Sequence, residues 1–174
     1  MSVRAMEETL GVKVPEDLRA FFGEEVPTFG GEAAEPLSTE EILAVDLPPL
    51  PIDFLPIAGN GAGDFLCARL GPHGDVLEMV AWKHDDWSDA LPFGRTLAEA
   101  LLLSLCSAGD DAPDAAALAW ALAHAPAALA DAIAHGPSLR DVLLDRGVGV
   151  ESLGEPDADV HGSRTEIHSP LFQK

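Results

Sequence analysis

Three short apolar runs, at residues 54–58, 65–70 and 76–82, constrain this chain more than any other feature. They are separated by Gly59-Asn-Gly-Ala-Gly-Asp64 and by Gly71-Pro-His-Gly-Asp75. A parallel pair of strands needs a crossover of about a dozen residues or more, and five residues cannot make one. The spacing therefore predicts an antiparallel meander, with turn residues between the strands.

Helical patterns flank this centre. Met6 and Leu10 are four apart and Gly11 ends their run. Val14-Pro-Glu-Asp-Leu-Arg-Ala-Phe-Phe22 restarts it, with Pro15 suited to a first helical position and Glu16 and Asp17 favourable in the first turn. Residues 23–37, rich in Gly, Glu and Pro, read as a loop. Ser38-Thr-Glu-Glu41 is a capping box that opens a short helix through Val45, and Leu47-Pro-Pro-Leu-Pro51 stops it. From Thr96, Leu97, Leu101 and Leu105 mark one helical face, widened by Leu102 and Cys106, that is expected to lie across the sheet.

The last third changes character. Residues 112–134 hold thirteen alanines in twenty-three positions, a strong helix former. "AALAWALAHAP" (116–126) is followed by "AALADAIAHGP" (127–137), identical at eight of eleven positions. Leu118 and Leu122 correspond to Leu129 and Ile133, and each copy ends in His and then Pro two residues on. The prolines predict two short helices meeting at Pro126 and a third over 138–146. His124 and His135 fall near helix C-termini, where a ring serves the last carbonyls. Two copies are too few for a solenoid, so a helical appendage is expected, and residues 148–174 read as a tail.

Charge narrows the function classes. Ten Lys plus Arg stand against thirty Asp plus Glu, a net of −20. Residues 1–113 carry 21 acids and 6 bases. Nucleic acid and anionic membrane are poor partners for such a surface, because phosphate contacts need Lys and Arg. A basic protein is a fitting partner, whereas a purely solvating acidic surface would have none. No apolar run reaches the roughly eighteen residues of a membrane span, and Met1–Glu8 lacks the apolar core of a secretory signal. Cys67 and Cys106 lie far apart in apolar segments, which suits buried thiols in a reducing cytoplasm.

Candidate chemistry is sparse. Gly59–Asp64 lacks the following helix of a dinucleotide loop and the Lys of a Walker motif, and Asp64 would repel phosphate. It reads as a turn feeding a strand. His84-Asp-Asp-Trp87 has metal-binding residue types, but neighbours on an extended chain point to opposite faces. It reads as a polar turn. His161 and His168 lack ligand spacing, and no Cys or Ser shows a nucleophile signature. No cofactor, no metal and no catalysis are expected.

Three segments together resemble the SUKH superfamily, which includes bacterial immunity proteins against polymorphic toxins and a yeast regulator of cell-wall synthesis. Glu7-Glu-Thr-Leu-Gly-Val-Lys-Val-Pro-Glu-Asp-Leu-Arg-Ala-Phe-Phe22 resembles its N-terminal helix signature. Leu55–Phe65 resembles its proline-containing strand followed by Gly-Asp and a second strand. Gly74-Asp-Val-Leu-Glu-Met-Val80, then His84-Asp-Asp86 and the helix from Thr96, resembles its Gly-x-Val strand and closing helix. The likeness covers about residues 5–107. It departs where Thr96-Leu97 replace a Ser and an aromatic, and the Ala-rich block from 112 lies outside it.

The resemblance implies an α+β fold, with a small twisted, mostly antiparallel sheet flanked by helices and, here, the Ala-rich helical appendage. It implies structural roles for Leu10, Gly11, Pro15, Pro56, Gly63, Asp64, Phe65, Gly74 and Val76. The expected organisation is an α+β domain over 1–110, a helical extension over 111–147 packed on it, and the tail. The implied function is a non-enzymatic, cytoplasmic binder that neutralises a basic toxin domain, such as a nuclease. The alternative is a regulatory or scaffold module of the same fold. Loop acids are the expected partner-binding residues: Glu24, Glu25, Glu32 and Glu35, with Asp85, Asp86 and Asp89 around Trp87 as an apolar anchor.

Overall fold

The computed structural model describes residues 2–23, 25–44, 53–84, 90–107, 114–136 and 138–147, without the side chains of Ala20 and Glu32. The 45–52 stop signal and the 148–174 tail lie outside the described residues.

The meander forms as the short connections require. Strands β2 (Phe54–Gly59), β3 (Phe65–Leu70) and β4 (Val76–Trp82) pair antiparallel in chain order. Two edge strands complete a five-stranded sheet: β1 (Glu35–Pro36) beside β2, and β5 (Ala90–Pro92) beside β4. The expectation of a featureless loop over 23–37 is thus corrected, since it also contains a 3₁₀ turn at Gly31–Ala33. Two or three residues are too few to show a period of two. Both edge strands end in proline, which cannot donate to a further strand and so blunts the edge.

β2 and β3 lack polar alternation because both faces of the sheet are covered there, whereas β4 is buried only from Met79 to Trp82. β2 is buried throughout, and in β3 only Arg69 is partly exposed. Leu55, Ile57, Leu66, Ala68, Met79 and Ala81 join the helical core. Phe54, Phe65, Cys67, Val80 and Trp82 form a second cluster, against which Leu37 and Ala90 pack. Arg69 bonds Glu78 at 2.7 Å and Asp53 at 3.4 Å.

Helices α1 (Val3–Leu10) and α2 (Glu16–Gly23) meet at a corner. Gly11 adopts φ 68°, which lets its N–H reach the Glu7 carbonyl at 2.9 Å and turn the chain. The Glu7 carboxylate then accepts the Val14 N–H at 2.8 Å and pairs with Arg19. Pro15 sits one residue before α2, and its carbonyl receives the Leu18 N–H. Met6 is the fully buried residue of α1, and half-buried Val3 packs beside it against the core. Leu10 is 39% exposed, contrary to the apolar face expected of the pair.

Helix α3 (Thr39–Ala44) opens on the capping box: Ser38 Oγ accepts the Glu41 N–H at 3.2 Å, and Glu41 accepts the Ser38 N–H at 2.8 Å. Helix α4 (Leu97–Ser107) does not simply lay one face on the sheet. Every residue from Leu97 to Leu105 is buried, Glu99 and Ser104 included. The 3₁₀ turn contacts it on one side, α5 (Ala115–Ala123) and α7 (Leu139–Asp145) on others. A helix apolar nearly all round is a central helix.

The repeat folds as α5 and α6 (Ala127–His135), broken at Pro126. His124 Nδ1 lies 2.9 Å from the Trp120 carbonyl and His135 Nδ1 2.8 Å from that of Asp131. The copies bury different positions, however. Ala117 and Ala121 are fully buried in the first and Leu129 in the second, while Leu118, Leu122 and Ile133 are half-buried. Trp120 projects from α5 edge-on to Phe21 and Phe29, at 5.8 and 6.1 Å between ring centres. Its ring also stacks on His124 at 3.9 Å.

Candidate functional site

One register row crosses all five strands: Glu35 opposite Gly59, Gly59 opposite Phe65, Phe65 opposite Trp82 and Trp82 opposite Ala90. The row marks one end of the sheet. The Asn60–Asp64 turn leaves from it, Lys83 and His84 follow it, and residues 85–89 connect its last two members. Glu35 and Asp64, 29 positions apart in the chain, are brought to the same end by pairing alone.

Asp64 is the hub of this end. Its Oδ1 lies 2.8 Å from His84 Nδ1 and accepts the His84 backbone N–H at 3.1 Å. Its Oδ2 accepts the Asn60 amide at 2.8 Å and faces Lys83 Nζ at 3.9 Å. Burial by itself would raise the Asp64 carboxyl. The bonds from the His84 ring, the Asn60 amide and the His84 N–H outweigh that and hold it below the ordinary carboxylate value. Asn60 Oδ1 in turn accepts the Ala62 and Asp64 N–H groups, so the turn is closed from within. With its lone pairs so engaged, Asp64 ties the β2–β3 turn to the end of β4.

The motif residues Gly63, Phe65, Pro56, Gly74 and Val76 lie in the sheet and its turns. Gly63 has φ 101°, and a side chain there would meet the His84 ring at 3.4 Å. Phe65 leans on Trp82 at 6.3 Å between ring centres. Pro56 lies in β2 opposite Cys67, just ahead of the register shift before Ala58. Gly74 has φ 78°, and a side chain there would meet the Lys13 carbonyl of the α1–α2 corner at 3.4 Å. Val76 opens β4 opposite Leu70.

Of the expected partner-binding residues, Glu25 and Glu35 are exposed. Glu32 lies in the 3₁₀ turn, its side chain outside the described residues. Glu24, Asp85, Asp86, Trp87 and Asp89 also lie outside them.

A cleft of about 400 Å³ lies next to β1. Phe21, Phe22 and Val26 line it on the α2 side, and Pro36 to Glu41 on the other. Sequence reading singled out the Ser38–Glu41 cap for its helical role and missed this cleft, because its two walls are separated in the chain. Hydrogen bonds from the Ser38 side chain and N–H hold the Glu41 carboxyl below its usual value.

Among the described residues no group of three His, Cys, Asp or Glu is placed to hold a metal. Burial pushes the Cys67 thiol far up. Burial also raises the Cys106 thiol, against the pull of Arg140. Cys106 is half-buried rather than enclosed, and both cysteines are free. No helix among the described residues is long and apolar enough to cross a membrane.

These features define an α+β protein whose antiparallel sheet carries charged loops at one end. The chain belongs to the SMI1 / KNR4 family (SUKH-1), whose model matches residues 2–103. That match ends inside α4, so α5, α6 and α7 lie beyond it. No curated protein and no solved structure matches the chain significantly.

Proposed function

We propose that this protein is a non-enzymatic binder and, specifically, an immunity protein that neutralises a basic toxin domain by direct contact in the cytoplasm. One observation carries the reading: the register row brings Glu35 and the Asp64 turn, far apart in the chain, to the same end of the sheet. A rigid sheet presenting acidic loops is suited to cover a surface built for phosphate, such as that of a nuclease. Family membership supports a protein partner. The engagement of Asp64 with His84 and Asn60 makes it a scaffold for these loops.

The test is co-expression with the C-terminal domain of a secreted toxin encoded beside this gene. Restored growth, and one co-eluting complex of the two proteins, are expected. Unrestored growth with no complex would reject the immunity reading, and an isolated gene with other intracellular partners would favour a scaffold.

A further inference from the structure

We propose that Asn60 is a modification site: its side-chain amide is lost by attack of the Gly61 nitrogen, and the carboxylate left behind opens the turn between β2 and β3. This goes beyond partner binding and does not depend on it. Asn60 is the single asparagine of the chain, and the residue after it is the one type with no Cβ to shield the peptide nitrogen. The turn supplies the geometry. Asn60 Oδ1 accepts the Ala62 N–H at 2.9 Å, an Asx turn that folds the side chain back over the intervening Gly61 peptide. The Asp64 N–H reaches the same oxygen at 3.3 Å. Two backbone donors on Oδ1 polarise the amide carbonyl and stabilise the oxyanion that forms when a nitrogen adds to Cγ. The Gly61 N–H has no acceptor among the described residues. Gly61 and Ala62 are exposed, and nothing lies within 4 Å of the place a Gly61 Cβ would take, so water reaches the reacting atoms.

The step balances with water as the only co-reactant. The Gly61 nitrogen bonds to Cγ and gives up its proton to solvent, while Nδ2 takes a proton and leaves as ammonia. Water then opens the cyclic imide at either carbonyl, to aspartate or to its β-linked isomer. In both products a carboxylate stands in place of the amide that donates to Asp64 Oδ2 at 2.8 Å. A donor is exchanged for an anion facing an anion, so the bond that closes the turn becomes a repulsion. Asp64 also holds the His84 ring and N–H, and the tie from the turn to the end of β4 loosens with it.

The test incubates the full folded chain at mildly alkaline pH in ¹⁸O-labelled water, beside the same chain unfolded in urea. Peptide mapping by mass spectrometry should find aspartate and isoaspartate at Asn60 in the folded chain, with ¹⁸O taken from water, at a rate within about tenfold of the unfolded chain. Gly61→Ala should slow the conversion in both states by about tenfold, because a Cβ crowds the attacking nitrogen. Asn60→Asp, which reproduces one product directly, should speed hydrogen exchange at the Ala62, Asp64 and His84 amides by about tenfold over the unreacted chain. A folded-chain rate more than about tenfold below the unfolded one would overturn the proposal, since the turn would then protect the amide. So would a rate indifferent to Gly61→Ala, or exchange in Asn60→Asp equal to that of the unreacted chain at all three amides.

Discussion

Asp64 and His84, twenty residues apart, are joined twice: ring to carboxylate at 2.8 Å, and backbone N–H to the same oxygen at 3.1 Å. The pair fastens the turn after β2 to the end of β4.

Removing that fastening should cost stability in a pH-dependent way. Asp64→Asn keeps the shape but loses charge-assisted bonds, for an expected loss of about 1–3 kcal/mol at neutral pH. The folded-state carboxyl lies below its ordinary value of 3.8. Its contribution is therefore complete above that value and fades as pH falls through the lower folded-state value. Urea unfolding of both proteins between pH 7 and pH 3 should show their difference shrinking on acidification. A constant difference would contradict the linkage.

The helices after residue 113 should prove inseparable from the core. Ala117, Ala121, Leu129 and Leu143 are fully buried in the same cluster as Met6 and Leu101. The Arg146 guanidinium reaches the buried Glu99 carboxylate of α4 at 3.6 Å. A chain ending at residue 110 should expose the outer side of α4, bind a hydrophobic dye and lose cooperative unfolding. Cooperative unfolding of that fragment at unchanged stability would show the extension to be dispensable.

Ser104 presents the opposite case. It is fully buried in α4, and its hydroxyl has no hydrogen-bond partner among the described residues. An unmet buried hydroxyl costs free energy without return. Ser104→Ala should be neutral or stabilising, by up to about 1 kcal/mol in denaturant unfolding. A loss of more than about 1 kcal/mol would assign the hydroxyl a structural bond.

The acidic loops should act mainly on association rate. Exposed ion pairs are each worth about 0–1 kcal/mol, and screening sets in as the Debye length falls from about 10 Å at 0.1 M salt. Reversal of Asp85, Asp86 and Asp89 to Lys should slow binding to the cognate toxin domain, and added salt should slow the wild type likewise. Stopped-flow rates indifferent to both would reduce the acidity to a solvating surface.

Much of the architecture is legible locally. The five residues from Gly71 to Asp75 exclude a crossover, so β3 and β4 had to be antiparallel. Ser38 and Glu41 announce a helix start three residues apart, and Pro126 divides the repeat, because capping and helix breaking act within a single turn. Thr96-Leu-Ala-Glu99 carried a similar signal that the leucine spacing obscured: Thr96 Oγ1 accepts the Glu99 N–H at 3.2 Å. Other features needed the tertiary structure. β1 and β5 have no periodicity of their own and exist only because β2 and β4 offer unpaired edges. The burial of α4 on every side depends on which elements surround it, and the leucine pattern alone suggested one face. Glu35 lies beside the Asp64 turn through the register with Gly59, and the cleft forms where α2 passes the β1–α3 corner. Sequence records the chemistry of each residue and of its neighbours within a turn or a hairpin. Which distant segments share an end of the sheet is decided when all strands and helices bury their apolar faces together.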